Sequence, residues 1–231
     1  MSSLRRVMPL GFSVALIFAL LGCGSPTVAP QEQDREAVES SLRALDESST
    51  YSFRLEVETW VGVSGYTVYG SERGEGFLEE GEFSLSMLRS SPAGEEILTI
   101  FSQDGLLYSK EGGEIRPVAE EYLPNRLYDP RNFSEVLSAY GMPVREGEEE
   151  NSGAILRVYR LDLGSDLARD ILSGAAWEYF CNLRFELKCR VWVGDASSPP
   201  ARLALELAGY DPQEGLQRYR SLITLTPNPA T

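Results

Sequence analysis

Thiols are the residues with the clearest potential for chemistry in this sequence of 231 residues, because it contains no histidine. Without an imidazole the chain cannot form a Ser-His-Asp or Cys-His nucleophile or a histidine-ligated metal site. The three cysteines are Cys23, near the N-terminus, and Cys181 and Cys189, in the last quarter of the chain. The surroundings of each cysteine decide whether a thioether, a disulfide or a free thiol is expected.

Cys23 follows a segment with the pattern of a secretory signal. Arg5 and Arg6 form a positive start with no acidic residue, and the apolar run Val7–Leu21 comes next. At about 15 residues this run is shorter than the roughly 20 residues that a transmembrane helix needs. The run ends in Leu20-Leu-Gly-Cys23, which resembles the lipobox of bacterial lipoproteins.

The lipobox resemblance implies that the Cys23 thiol is alkylated with diacylglycerol and that the peptide is cleaved just before it. An ordinary signal peptide with an incidental cysteine is the alternative. We predict a lipoprotein signal peptide over residues 1–22, lipidated Cys23 with a flexible tether over residues 23–32, and a single domain over residues 33–231. Because two or three acyl chains hold a protein stably, the protein is expected to be exported and lipid-anchored to the outer face of the cell membrane or in the cell envelope.

Cys181 and Cys189 remain after lipidation of the first cysteine. In an oxidising compartment an even pair favours a disulfide, and we predict a bridge between them. Two buried free thiols are the alternative, because residues 177–193 alternate like one extended strand. Such a strand would hold the two cysteines roughly 26 Å apart, whereas a disulfide needs Cα atoms within about 7 Å. The bridge therefore requires the chain to turn between them.

Paired carboxylates of the kind that glycosidases use are the remaining route to catalysis. The adjacent acidic residues are Glu79-Glu80, Glu120-Glu121 and Glu148–Glu150. Neighbours on a strand point to opposite faces, and an acidic run in a loop is normally solvated. We therefore predict no enzymatic activity, no metal site and no cofactor.

The net charge excludes one class of partner. The full chain carries −14; residues 1–22 hold two of the 21 basic residues and none of the 35 acidic ones, so the mature chain carries −16. A body this acidic should not bind nucleic acid, whose phosphates repel it. The chain that remains after cleavage is long enough for one domain with a substantial core.

The elements that must position these residues begin with an amphipathic helix over Gln33–Glu47. The pattern then changes to period two over Tyr51–Thr59, which predicts a half-buried strand. Further short strands, separated by turn signals such as Asp104-Gly105, continue to Lys110. This first half therefore reads as a meander of about five antiparallel strands.

A second helix is predicted from Asp129-Pro130, with aspartate as N-cap and proline at the first helical position, to Gly141. Arg145–Ser152 is predicted as an acidic turn or loop. A strand, a short helix and about three regularly alternating strands complete the chain. We therefore predict an α+β fold in which a single strongly curved antiparallel sheet, a half-barrel of about ten strands, wraps around two or three helices.

Local phrases in this order resemble the lipoprotein-carrier superfamily typified by LolA and LolB, and particularly its LppX/LprG-type lipoproteins. The resemblance covers roughly residues 35–226. The sequence departs from the family at Glu114-Ile-Arg116, where a tryptophan is usual, and in the glycine-rich stretch Gly62–Gly81. The resemblance is carried by the first helix running into Tyr51-Ser-Phe-Arg-Leu, by Asp104-Gly-Leu-Leu-Tyr-Ser-Lys110, by Asp129-Pro-Arg-Asn-Phe-Ser-Glu-Val-Leu137, and by Cys189-Arg-Val-Trp-Val-Gly-Asp195 followed by Pro199-Pro-Ala-Arg-Leu203.

The resemblance implies a hydrophobic cavity for acyl chains between the sheet and the helices. A curved sheet over few helices can itself leave such apolar space. The predicted cavity residues are Phe53, Leu55 and Val57 from the first strand, with Phe133 and Leu137 from the second helix. Plain core packing is the alternative for each of them.

Two functions are consistent with these features. The first is a membrane-anchored lipoprotein that binds a lipid or other lipophilic ligand for transport or presentation, which needs no catalytic residue. The second is an envelope sensor or assembly module that binds a protein partner and carries no cargo. Its contact would be the acidic surface or the segment Trp60–Tyr69. A continuous cavity with an apolar mouth favours the first function, and a tightly packed core favours the second.

Overall fold

The computed structural model describes residues 30–63, 66–118, 126–130, 132–137, 140–172 and 174–229. The predicted signal segment, Cys23 and Glu120-Glu121 lie outside these residues. The strands are β1 (Thr50–Val63), β2 (Tyr66–Glu79), β3 (Glu82–Ser91), β4 (Gly94–Gln103), β5 (Leu106–Glu111), β6 (Glu114–Pro117), β7 (Val144–Asn151), β8 (Ala154–Leu163), β9 (Arg184–Val193), β10 (Arg202–Tyr210) and β11 (Gln217–Pro229).

Four helices accompany the strands: α1 (Pro30–Glu47), α2 (Asn132–Leu137), α3 (Ala168–Ile171) and α4 (Gly174–Phe180). Helix α1 begins three residues earlier than predicted, with proline in its first turn, where the missing N–H costs no hydrogen bond. Within the part of the chain that the structure describes, no helix has the length and apolarity to cross a bilayer.

All the strands belong to one antiparallel sheet in the order β6-β5-β4-β3-β2-β1-β11-β10-β9-β8-β7. The described sheet is not closed, because β6 and β7 lie at opposite free edges. Two meanders meet in its middle, where Leu55 of β1 pairs with Leu225 of β11. Residues 118–143, which we call the crossover, must carry the chain from one edge to the other. The predicted α+β half-barrel is therefore confirmed.

One face of the sheet, which we call the inner face, carries the core. In β1 alternate residues from Tyr51 to Val57 are buried, and the residues between them are exposed. The same alternation runs through β3 and β9. Helix α1 contributes Val38, Leu42 and Leu45 to the same core, as its apolar stripe predicts. The helices and the crossover thus cover the inner face, and the outer face meets solvent.

The glycine-rich stretch has a packing role in β2. Gly74 and Gly76 lie on the inner face, where a Cβ at Gly76 would stand 2.4 Å from the Ser84 carbonyl oxygen and 2.5 Å from Cζ of Phe53. A Cβ at Gly74 would stand 2.5 Å from both Met87 Cγ and the Ser86 carbonyl oxygen. The absence of side chains at these positions lets neighbouring strands and the Phe53 ring approach the β2 backbone closely.

Gly76→Ala is expected to lower the free energy of unfolding by about 1–3 kcal/mol, because the added methyl group overlaps Phe53 and the β3 backbone. Thermal and urea unfolding followed by circular dichroism measures the loss. Gly70→Ala is the matched control on the same face of the same strand, since its Cβ would meet Ser90 at an ordinary 3.7 Å. Equal melting temperatures for the two variants would contradict the packing role.

One stretch predicted as an acidic turn or loop, Arg145–Ser152, falls almost wholly within strand β7. Its charges are balanced by cross-strand neighbours: the Glu146 carboxylate lies 3.3 Å from Arg160 and 2.7 Å from Arg190. The hydrogen bond from Arg190 and the nearby Arg160 hold the pKa of Glu146 below its usual value. The charges that argued against a strand thus form a ladder on the outer face, and they disfavour pairing of another chain with this free edge.

Residues 177–180, predicted as the start of a strand, belong to helix α4, and β9 begins only at Arg184. The ring of Trp177 lies 6.0 Å from that of Phe185, and the ring of Phe180 lies 4.4 Å from that of Tyr219. The alternation was misleading because Trp177 and Phe180, three residues apart, share one side of a helical turn and pack on the sheet from there.

The predicted disulfide does not form in this structure, where Cys181 and Cys189 are both free thiols. Cys181 is exposed in the turn between α4 and β9, and Cys189 is buried in β9. Because β9 is extended from Arg184, about 16 Å of strand precede Cys189, at about 3.3 Å per residue, whereas a bridge needs about 7 Å. The alternative of two free thiols holds, except that Cys181 is not buried.

In the native protein Cys181 is expected to react with a thiol reagent and Cys189 to remain unmodified. Burial raises the pKa of the Cys189 thiol to about 12, so its reactive thiolate is not populated at neutral pH. Iodoacetamide treatment of Ser25–Thr231, read by intact mass, should give one adduct before denaturation and two afterwards. No adduct in either state, without reductant, would mean that the two cysteines are bridged in solution.

Candidate functional site

The five predicted cavity residues converge in the interior of the half-barrel. Phe53, Leu55 and Val57 project from β1, the central strand, and Phe133 and Leu137 project from α2 in the crossover. All five are buried and belong to one cluster. Residues 80 positions apart in sequence therefore belong to the same buried cluster.

The same inner face carries a row of charged residues, which we call the inner polar row: Glu72 of β2, Arg89 of β3 and Glu96 of β4. They are direct cross-strand partners. The Arg89 guanidinium contacts Glu72 at 2.8 Å and Glu96 at 2.9 Å. Burial alone would lower the pKa of Arg89, but the two carboxylates outweigh it, and the pKa is raised above its ordinary value.

Tyr128 links the crossover to the inner polar row by a hydrogen bond. Its hydroxyl donates a hydrogen bond to the Glu72 carboxylate. Burial, and secondly the negative charge of Glu72, raise the pKa of Tyr128 well above its ordinary value. The phenol is therefore protonated and able to donate across the physiological pH range.

Polar and apolar rows alternate along the inner face. The row adjacent to the inner polar row is apolar, with Leu55 and Gly74 paired in β1 and β2 and Met87 and Leu98 paired in β3 and β4. On the other side of it, toward the end where β1 finishes and β11 begins, the Tyr219 ring packs on Phe180. Burial raises the pKa of Tyr219 to about 12. The inner polar row thus spans β2 to β4, and the aromatic pair of Tyr219 and Phe180 lies nearer the end of the half-barrel where β11 begins.

Trp60 and Tyr69, the two ends of the segment proposed as a partner contact, lie on the outer face. The rings of Trp60 and Tyr69 lie 5.5 Å apart on neighbouring strands, and the Arg220 guanidinium lies 4.9 Å from the Trp60 ring. A depression of about 210 Å³ runs beside them, lined also by Gly62 and Thr67. A second depression of about 650 Å³ on the outer face is lined by charged residues of β1 and β2 and by apolar residues of β3 and β4, among them Leu88 and Ile97.

The described residues offer no arrangement typical of catalysis or metal binding. Among them, no three acidic or cysteine side chains lie close enough together to hold a metal ion. Glu79 and Glu80 are exposed at the β2–β3 turn, and Glu148–Glu150 alternate along the edge strand β7. What the inner face can do chemically is to bind apolar groups and to form hydrogen bonds at the inner polar row.

No protein-family model and no curated protein matches the chain. Among solved structures, LprF from Mycobacterium bovis matches with a TM-score of 0.51 and 10% identity, over 87% of this chain and 95% of that one. The chain has a LolA-like fold. The lipoprotein LppX from Mycobacterium tuberculosis matches with a TM-score of 0.47 and 12% identity, over 83% and 91% of the two chains. A putative outer membrane lipoprotein-sorting protein domain from Vibrio parahaemolyticus matches with a TM-score of 0.36 and 11% identity, over 87% and 94%.

The similarity to LprF concerns the fold, and it confirms the fold that the sequence resemblance predicts. The inner polar row was missed at the sequence level, although a signal for it was present. Glu72 is in phase with the inward Gly74 and Leu78 of β2, and Arg89 is in phase with the inward Leu85 and Met87 of β3.

Proposed function

We propose that this protein is a membrane-anchored extracytoplasmic lipoprotein that binds a lipid or other lipophilic ligand against the inner face of its half-barrel, for transport or presentation. The anchor is Cys23, and the body lies on the outer face of the cell membrane or in the cell envelope. Its work is binding, and no catalytic residue is needed for it.

The observation that carries this proposal is the convergence of Phe53, Leu55 and Val57 with Phe133 and Leu137 from opposite layers. Among the described residues, helices rather than a second sheet cover the inner face, and packed helices can move apart at lower cost than hydrogen-bonded strands. Apolar chains favour such an interior because its walls offer no hydrogen bonds to water. The lipobox that ends at Cys23 supports the placement at a membrane.

The proposal is tested by expressing Ser25–Thr231 without its anchor and comparing native with denaturing mass spectra. We expect a co-purified mass that dissociates on denaturation and extracts into organic solvent, and its fragmentation identifies the lipid class. An apo mass, with no uptake of phospholipid or of lipoprotein acyl chains, would remove the carrier function.

A pair of matched variants separates the interior from nonspecific adsorption. Leu137→Phe adds volume inside the half-barrel and is expected to lower the occupancy of the bound lipid. Leu88→Phe makes the same change at an exposed position of the outer face and should leave occupancy unchanged. Equal occupancy in the two variants would place the lipid outside the inner face.

A second candidate function, an envelope sensor or assembly module that binds a protein partner, is favoured by the outer face. The tilted rings of Trp60 and Tyr69 pack against each other there, and Phe77, Leu88 and Ile97 are exposed on neighbouring strands. This function requires no cargo, so it becomes the better account if the mass spectra of the purified protein contain no lipid.

A further inference from the structure

Exposed apolar side chains collect at one end of the half-barrel. Tyr66 is 79% exposed, Tyr179 69% and Leu216 53%, and Val68 and Met142 are exposed as well. We call these five residues the open rim. They come from the start of β2, from α4, from the β10–β11 loop and from the approach to β7. Apolar groups gathered from four separate segments mark an interaction surface.

The register of the sheet places these segments at the same end. Val61, near the end of β1, pairs with Val68 on one side and with Tyr219 on the other. The Tyr219 ring contacts Phe180 at the end of α4. The Gly141 amide donates a hydrogen bond to the carbonyl of Asp162, the next-to-last residue of β8. This contact brings the residues before β7 to the same end of the sheet.

Helix α1 directs the tether toward the open rim. Its first turns are held to the sheet by the Tyr159 hydroxyl, which donates to Asp34 at 3.0 Å. The charges of Glu39 and Arg35 act on the Tyr140 hydroxyl, two residues before Met142. The helix then runs away from this end and leads into β1. Between Cys23 and Pro30 the chain can span at most about 25 Å, at about 3.6 Å per residue. Because Tyr159, the partner of Asp34, lies in the middle of β8, the start of α1 is within this distance of the end of β8 that borders the open rim, and a lipid on Cys23 can hold the rim at the membrane surface.

The side chains of the open rim suit a lipid interface. Tyrosine combines an apolar ring with a hydroxyl and prefers the headgroup region, and Leu, Val and Met enter the outer acyl region. The mature charge of −16 opposes contact with anionic lipids, so the fitting surface is a zwitterionic one. A weak apolar contact suffices, because the anchor holds the rim at high effective concentration.

We propose that the open rim docks on the bilayer that holds the Cys23 lipid, so that the body stands on the membrane with this end down. The inference rests on the anchoring part of the proposed function and is independent of any carried ligand. The occupant is the lipid surface itself; a protein or a second copy of this chain would be a different occupant.

The test uses the full lipoprotein, purified in detergent and reconstituted into phosphatidylcholine vesicles, with the lipid on Cys23 verified by mass. Cys181 follows the last residue of α4 and is exposed, so it accepts an environment-sensitive fluorophore while buried Cys189 does not. We expect a blue shift of the emission on reconstitution and strong quenching by lipids that carry a spin label near the headgroup. The same fluorophore at Ser86→Cys on the outer face, in a Cys181→Ser background, should show neither change.

Matched triple variants identify the residues responsible. Tyr66→Ser, Tyr179→Ser and Leu216→Ser together should abolish the quenching at Cys181, while the protein still floats with the vesicles through its anchor. The control replaces three exposed outer-face residues, with Phe77→Ser, Leu88→Ser and Ile97→Ser, and should leave the quenching unchanged.

Four results would overturn the proposal. Flotation without quenching at Cys181, or equal quenching at Ser86→Cys, would mean that the open rim does not face the bilayer. Loss of quenching in the outer-face triple would point to a different contact. Absence of the Cys23 lipid would overturn the anchor and the rim together. Cargo binding is measured separately by the mass spectra of the unanchored chain, so its failure is distinguishable from all of these.

Discussion

Arg89→Leu is expected to lower the free energy of unfolding by about 2 kcal/mol. The guanidinium offsets the burial of Glu72, which is only 14% exposed and which also accepts the hydrogen bond from Tyr128. Without Arg89 this carboxylate loses the cation at 2.8 Å. Because neither group is fully buried, the effect falls below the 3–5 kcal/mol typical of fully buried pairs. Urea unfolding measures it.

A double variant shows whether the unpaired charge is the cause. In Glu72→Gln/Arg89→Leu the amide still accepts a hydrogen bond from Tyr128 but carries no charge, so at least half of the lost stability should return. The control is Arg54→Leu, which breaks a pair between β1 and β2 on the outer face, where the side chains are 57% and 75% exposed. That variant should lose less than about 0.5 kcal/mol. Equal losses in the two single variants would contradict a special role for the inner polar row.

At alkaline pH the protein is expected to unfold cooperatively as the pH rises from about 10 toward 12. Burial raises the pKa of Tyr219 to about 12 and that of Tyr128 well above its ordinary value. An unfolded chain releases these protons near pH 10, while the folded protein retains them. The stabilisation is therefore complete below pH 10 and is lost as the pH rises through the folded pKa, with Tyr219 alone accounting for roughly 3 kcal/mol.

Tyrosinate absorbance and near-ultraviolet circular dichroism, recorded together against pH, follow this transition. Tyr219→Phe should move the unfolding midpoint to higher pH, because it removes one group whose ionisation opposes folding. Tyr66→Phe alters a tyrosine that is largely exposed, so it should leave the unfolding midpoint unchanged. Gradual ionisation of all tyrosines, with no cooperative loss of the circular dichroism signal, would contradict the prediction.

The sequence predicted correctly the elements whose own residue pattern shows which face is buried. The alternation in β1 and the stripe in α1 each report one buried face, and the structure confirms both. The acidic stretch in β7 could not be interpreted in this way, because the arginines that balance Glu146 belong to β8 and β9, and Arg190 is 44 residues away. The local charge of this stretch indicated a loop, but the arginines of β8 and β9 balance the charge, and the stretch forms a strand.

The sequence predicted which residues are buried in the interior, but it did not predict which of them lie close together. Phe53 and Phe133 each carry a periodic signal, but only the strand order brings their elements to one buried cluster. That order depends on the pairing of β1 with β11, for which no local pattern exists. The same limit applies to the inner polar row: Glu72 and Arg89 were visible in phase with apolar neighbours, but their pairing follows from the β2–β3 register.

The pairing of the first strand with the last has a consequence for how the chain reaches its folded state. Leu55 and Leu225 are 170 positions apart, and their strands are neighbours in the centre of the sheet. Until β11 is present, β1 and β10 are both exposed edge strands. Partial chains are therefore expected to aggregate readily and to fold slowly. A chain emerging from a translocation pore N-terminus first thus remains two separate half-sheets, unable to form its continuous sheet, until its final strand has emerged.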